Sequence, residues 1–182
     1  MRYFYNRLDA ELRMPLEQIH FWTDKNIETY SDELAALGGA DVAYTALSWS
    51  SGIGAIDPES FPANSLEEFL AMGSRFVKPM PEMIAHDSLR GMFGCSGDIA
   101  NVPPCAATIG PLDVMRAKER IEVHALATCG TFSSWQRMTS RLCTHGPITP
   151  YLPSTMLQTK KTQVYISEEL AAPFECWEKV GY

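Results

Sequence analysis

Long apolar runs are missing from this chain. None approaches the ~20 residues that a membrane-spanning helix needs. The opening Met1-Arg2-Tyr3-Phe4-Tyr5-Asn6-Arg7 lacks the apolar core of a signal peptide. These absences predict no membrane partner, and a cytoplasmic or virion location rather than secretion by a signal peptide. Basic side chains are scarce in the first 70 residues, with 4 against 12 acidic ones. So acidic a stretch repels phosphate. Cysteine is absent from the first 85 residues, and histidine occurs there once, as His20. Metal ligation by soft donors and thiol chemistry are therefore not expected of that stretch.

Signatures of common chemistries are missing too. The chain has no GxGxxG, Walker loop, HExxH, GxSxG or EF-hand loop. It has no RRM, KH, helix-turn-helix or zinc-finger pattern. Repeats and low-complexity tracts are absent. The carboxylate pairs Asp57-Pro58-Glu59 and Glu67-Glu68 stand too close in sequence to aim at one atom. They read as caps and solvated faces.

What is present is an ordinary globular composition. At 182 residues, with 46% hydrophobic and 20% charged side chains, the chain can bury a core without disulfides or metals. Its odd count of 5 Cys agrees with a reducing compartment. One domain over 1–182 is expected. Its sub-lobes would be 1–90 (helical, acidic) and 91–182 (mixed, holding most Cys and His, locally basic).

Periodicity and punctuation predict helices over 7–22, 30–37, from Asn64 to Gly73, from Pro81 to Gly91, from Pro111 to about Arg120, and from Ser133 to Cys143. In the first of these, Leu8, Leu12, Leu16 and Ile19 form the stripe and Pro15 a kink. Strands are expected at Val42 to Trp49, Ile121 to Thr128 and Gln163 to Ser167, with a short helical turn at 168–172. Residues 91–110 and 144–156 are rich in Gly and Pro and read as loops. The fold class is α+β: a helical N-terminal part, then short strands and helices with long Pro/Gly-rich loops. Aromatic residues at both ends (Tyr3, Phe4, Tyr5; Phe174, Trp177, Tyr182) are expected to dock on a core or partner.

Three constellations carry chemistry. Cys95, Cys105, Cys129, Cys143 and His145 could hold a zinc ion, the one cofactor considered. The gaps of 9, 23 and 13 residues between the cysteines are not the close pairs a zinc site uses. Free cysteines are more often small buried hydrophobes. Second, Cys95 in the turn Gly94-Cys95-Ser96-Gly97, with His124 and His145, has the ingredients of a thiol hydrolase. The Cys-Ser-Gly triplet resembles that of the NlpC/P60 cell-wall cysteine peptidases. Pro103-Pro104 and the 29-residue gap to His124 depart from that family, so its properties are not carried over.

Third, Arg116, Lys118, Arg120, Arg137, Arg141, Lys160 and Lys161 face only Glu119 and Glu122 over 114–161, a net of +5. Such a segment can meet phosphate or an acidic partner, or merely balance the acidic front. Taken together, the sequence favours a non-catalytic small subunit of a larger intracellular or viral assembly. Protein subunits are its expected partners, with nucleic-acid contact through 116–161. The thiol hydrolase and a zinc-stabilised interaction domain are the alternatives.

Overall fold

A computed structural model describes residues 5–47, 51–56, 65–89, 96–125 and 132–172. Two sheets organise them. Strands β1 (Val42–Ala46), β4 (Glu119–His124) and β5 (Thr162–Ile166) form a parallel sheet in the order β1-β4-β5. Strands β2 (Arg75–Val77) and β3 (Ala106–Thr108) form a separate antiparallel pair. Helices α1 (Tyr30–Ala36), α2 (Leu66–Leu70), α3 (Pro81–Leu89), α4 (Pro111–Arg116), α5 (Phe132–His145), α6 (Pro153–Met156) and α7 (Glu168–Ala171) connect them. This is the expected α+β class. Parallel neighbours need long crossovers, and here both crossovers contain helices.

Local chemistry explains the boundaries. Helix α1 ends where Gly38 and Gly39 take φ of 94° and 79°, which L-residues avoid, and their amides return to Ala35 and Leu34 carbonyls. Helix α2 begins at Ser65, whose hydroxyl accepts from the Glu68 amide at 3.0 Å. Helix α4 opens with Pro at its first position, where no N–H is needed. The preceding Gly110 packs so closely on the Met72 and Gly73 backbone that a Cβ would collide with it.

The apolar core gathers Ile53, Ile56, Phe69, Met72, Val77, Val114, Met156 and Leu157. A buried carboxylate ties its margin together. Asp113 of α4 accepts from the Ser31 hydroxyl of α1 at 2.9 Å and from the Ser74 hydroxyl and amide at 2.7 and 3.1 Å.

Two expectations of local structure differ from what forms. Residues 7–22 hold only two short 3-10 turns, at Ala10–Leu12 and Leu16–Gln18, and Leu8, Leu12 and Leu16 are exposed. The apolar stripe has no described surface to pack on, and an unpacked helix is marginal. Within 144–156, expected as loop, Pro153 instead opens the buried turn of α6. Tyr3, Phe4, Phe174, Trp177, Tyr182, Asn64 and the Asp57-Pro58-Glu59 pair lie outside the described residues. No described helix is long and apolar enough to cross a membrane.

Candidate functional site

Strand β4 inverts the usual economy of a strand. Its alternating side chains split into Arg120, Glu122 and His124 on one face and Glu119, Ile121 and Val123 on the other. The charged set is the buried one, at 4%, 4% and 1% exposure. Pairing sets Thr45 of β1 beside Glu122 and Thr162 of β5 beside Arg120. On the opposite face Tyr44, Val123 and Tyr165 are exposed.

The buried row is a connected network. Arg120 pairs with Glu122 through Nη2 and Oε2. Its Nε donates to the Thr45 hydroxyl at 3.0 Å and its Nη1 to the Thr162 hydroxyl at 3.4 Å. The Thr45 hydroxyl in turn donates to Glu122 Oε2 at 2.7 Å. Glu122 Oε1 lies 2.8 Å from His124 Nε2, and His124 Nδ1 lies 2.7 Å from the Ser140 hydroxyl of α5. A carboxylate only accepts, so Nε2–H donates to Glu122 and Nδ1 accepts from Ser140. Burial, and then the Arg120 charge, lowers the His124 pKa to about 4, so the imidazole is neutral near pH 7. Burial also lowers Arg120, to about 10, which leaves it charged. The Glu122 carboxylate alongside favours that charge further.

The network opens on a cavity of about 380 Å³ between β4, β5 and the ends of α5 and α6. Arg120, Lys160 and Lys161 contribute three cations to its wall and Glu122 one carboxylate. Hydroxyls and an amide from Thr144, Ser154, Thr162 and Gln158 supply neutral donors and acceptors. Cys143 also reaches the wall. Burial pushes its thiol up, which the Ser51 hydroxyl and the Arg120 charge only partly offset. A neutral thiol is a poor nucleophile.

Behind the wall, Ser154 binds the loop after β1. Its amide donates to the Ser51 carbonyl at 2.8 Å and its hydroxyl to the Gly52 carbonyl at 2.9 Å. Ser51 has a φ of 62°, and its buried hydroxyl finds no nitrogen or oxygen partner among the described residues. The cavity thus overlies the first halves of β4 and β5. Ligands of open α/β sheets usually bind beyond the carboxyl ends of the strands. Here residues 48–50 and 126–131, next to those ends, lie outside the described set.

The candidates from sequence are distributed as follows. Cys95 and Cys129 lie outside the described residues. His124 is buried between Glu122 and Ser140, while His145, exposed at the end of α5, contacts the Thr144 hydroxyl at 2.7 Å. Cys105 is exposed and Cys143 buried, both as free thiols. Among the described residues no group of three or more His, Cys, Asp or Glu side chains could hold a metal ion.

The basic segment divides by structure. Arg120, Lys160 and Lys161 meet at the cavity, with Lys160 Nζ donating to the Met115 carbonyl at 3.1 Å. Lys118 pairs with Asp41 at the exposed start of the sheet. Arg137 donates to the Glu169 carbonyl at 3.0 Å, and Arg141 to that of Ala172 at 2.7 Å, so both serve to hold α7. Arg116 is exposed at the end of α4. Sequence reasoning did not single out Glu122, Thr45, Ser140 or Thr162 as site residues. The available signal was a strand in which every second residue is titratable.

No protein-family model matches the chain, and no curated protein does. Solved structures do resemble it. One is a monomeric glucosamine-6-phosphate deaminase described as a missing link of the NagB superfamily, with a TM-score of 0.61 at 17% identity. The likeness covers 81% of this chain and 54% of the deaminase, so the chain spans about half of that protein's length. This finding corrects the expectation of a non-catalytic assembly subunit: the fold it shares is one that an enzyme uses.

Proposed function

We propose that this chain is an enzyme domain that binds a small phosphorylated substrate in the cavity beside β4, with Glu122 exchanging a proton with it. One observation carries the reading. A buried guanidinium and a buried carboxylate stand side by side in the wall of a cavity whose mouth adds Lys160 and Lys161. Three cations against one carboxylate leave a net of +2 (3 − 1), which complements a phosphate dianion. Burying an ion pair rarely adds stability over apolar packing, so a functional use better accounts for Arg120 and Glu122. The hydroxyls and the Gln158 amide suit the polar body of a sugar.

The fold neighbour supports the substrate class. Its name states an action on glucosamine 6-phosphate, which joins a phosphate ester to an amine. In this cavity the cations would hold the phosphate, and Glu122 would face the amine or a hydroxyl. Fold alone does not transfer an activity, so the reading rests on the cavity.

Calorimetric titration with glucosamine 6-phosphate, glucosamine and inorganic phosphate, alongside an ammonia-release assay, tests it. The sugar phosphate should bind and glucosamine should not. Lys161→Gln, at the exposed mouth, should weaken binding about tenfold, as expected for one lost charged contact. Binding of none of the three compounds would contradict the proposal.

A further inference from the structure

We propose that an anion entering the cavity takes Arg120 away from Glu122, so that substrate binding itself frees the carboxylate. The inference rests on the phosphate-binding reading above and goes beyond it. In the empty protein Glu122 is not an available base. Its Oε2 holds Arg120 and Thr45, and its Oε1 holds His124.

Arg120 is equipped for an exchange of partners. A guanidinium has five N–H donors. Among the described residues three donor atoms are engaged, Nε with Thr45, Nη1 with Thr162 and Nη2 with Glu122. Each Nη carries a second hydrogen, and Arg120 lines the cavity. A phosphate there offers more charge than a carboxylate and accepts two parallel N–H bonds. With Nε held by Thr45, a small swing carries both Nη groups toward the cavity.

Glu122 survives the loss. The Thr45 hydroxyl still donates to Oε2, and the His124–Ser140 pair still holds Oε1. The carboxylate keeps two of three partners, remains oriented, and becomes free to take a proton from a bound substrate. Because Arg120 is shared, phosphate and Glu122 compete for one cation, and weakening one grip strengthens the other.

The competition predicts a gain of binding on removal of a site charge. Calorimetric titration with inorganic phosphate should show Glu122→Gln binding about tenfold tighter than the unaltered chain, the scale of one charge-assisted hydrogen bond. Arg120→Gln/Glu122→Gln, which removes both charges together, should bind at least tenfold more weakly than the unaltered chain. If Glu122→Gln does not fold, Glu122→Asp, which draws the carboxylate back by one methylene, should also bind more tightly. Phosphate affinity unchanged or reduced in the folded Glu122 variant would overturn the exchange and leave phosphate binding standing. Absence of phosphate binding in every protein would overturn the phosphate-binding reading and the exchange together.

Discussion

Arg120 and Glu122 leave the same face of β4 two residues apart and pair there almost completely out of solvent. Neither is an isolated buried charge, because Thr45, Thr162 and His124 satisfy the atoms that the pair leaves over. The pair therefore costs little as a unit and a great deal when broken.

Arg120→Met should destabilise the protein by about 3–5 kcal/mol, the usual penalty for leaving the partner charge buried alone. Arg120→Met/Glu122→Leu should recover most of that loss. Urea denaturation of both variants checks it. A single variant within about 1 kcal/mol of the parent would show that water reaches Glu122 freely.

The His124 imidazole sets a pH dependence with a definite sign. Its pKa is about 6.5 when unfolded and about 4 in the fold. Between those values the unfolded chain binds a proton that the folded chain refuses. Stability is therefore fully present above about pH 6.5 and is lost as pH falls toward 4, by on the order of 3 kcal/mol from this group. His124→Gln keeps a donor for Glu122 but does not titrate. Its stability, measured by urea denaturation at pH 7 and pH 4.5, should fall less than that of the parent. Parallel losses would contradict the assignment.

How much of this was legible in the sequence depended on the length and partnering of each element. Helix α1 and helix α5 show periodicity and clear punctuation, and they form close to where the pattern places them. Strands β2 and β3 have three residues each, too few for an alternation to show. The stripe of Leu8, Leu12 and Leu16 was real, but a stripe becomes a helix only against a surface. Strand β4 was legible as a strand, while the direction of its two faces was not. Alternation separates Ile121 and Val123 from Arg120, Glu122 and His124, and hydrophobicity alone would bury the first set. Thr45, Thr162 and Ser140 reverse the choice by satisfying the charges, and they come from three distant segments. For the same reason the basic segment could be counted in sequence but not divided between the cavity, the α7 dock and the Asp41 pair.

Gly110 tests the close packing of α4 on the loop that follows α2. Gly110→Ala forces a Cβ against the Met72 and Gly73 backbone, which has no flexible end to yield. A loss of about 1–3 kcal/mol is expected. An unchanged melting temperature would mean that the two segments separate easily.

Asp113→Ala should cost about 2 kcal/mol or more, because it strands the Ser74 amide and hydroxyl and the Ser31 hydroxyl without their acceptor. Thermal melts of Asp113→Ala and Asp113→Asn should rank Asn between Ala and the parent, since the amide oxygen still accepts. An Asn variant as stable as the parent would show that the charge itself contributes nothing at this helix start.

The most direct test of the account is a crystal structure of the protein soaked with glucosamine 6-phosphate. The account predicts the phosphate in the cavity, within hydrogen-bond reach of the Arg120 Nη groups and Lys161, with the sugar extending toward Glu122. A ligand bound instead beyond the carboxyl ends of the strands, beside Ser51, with the cavity empty, would contradict it.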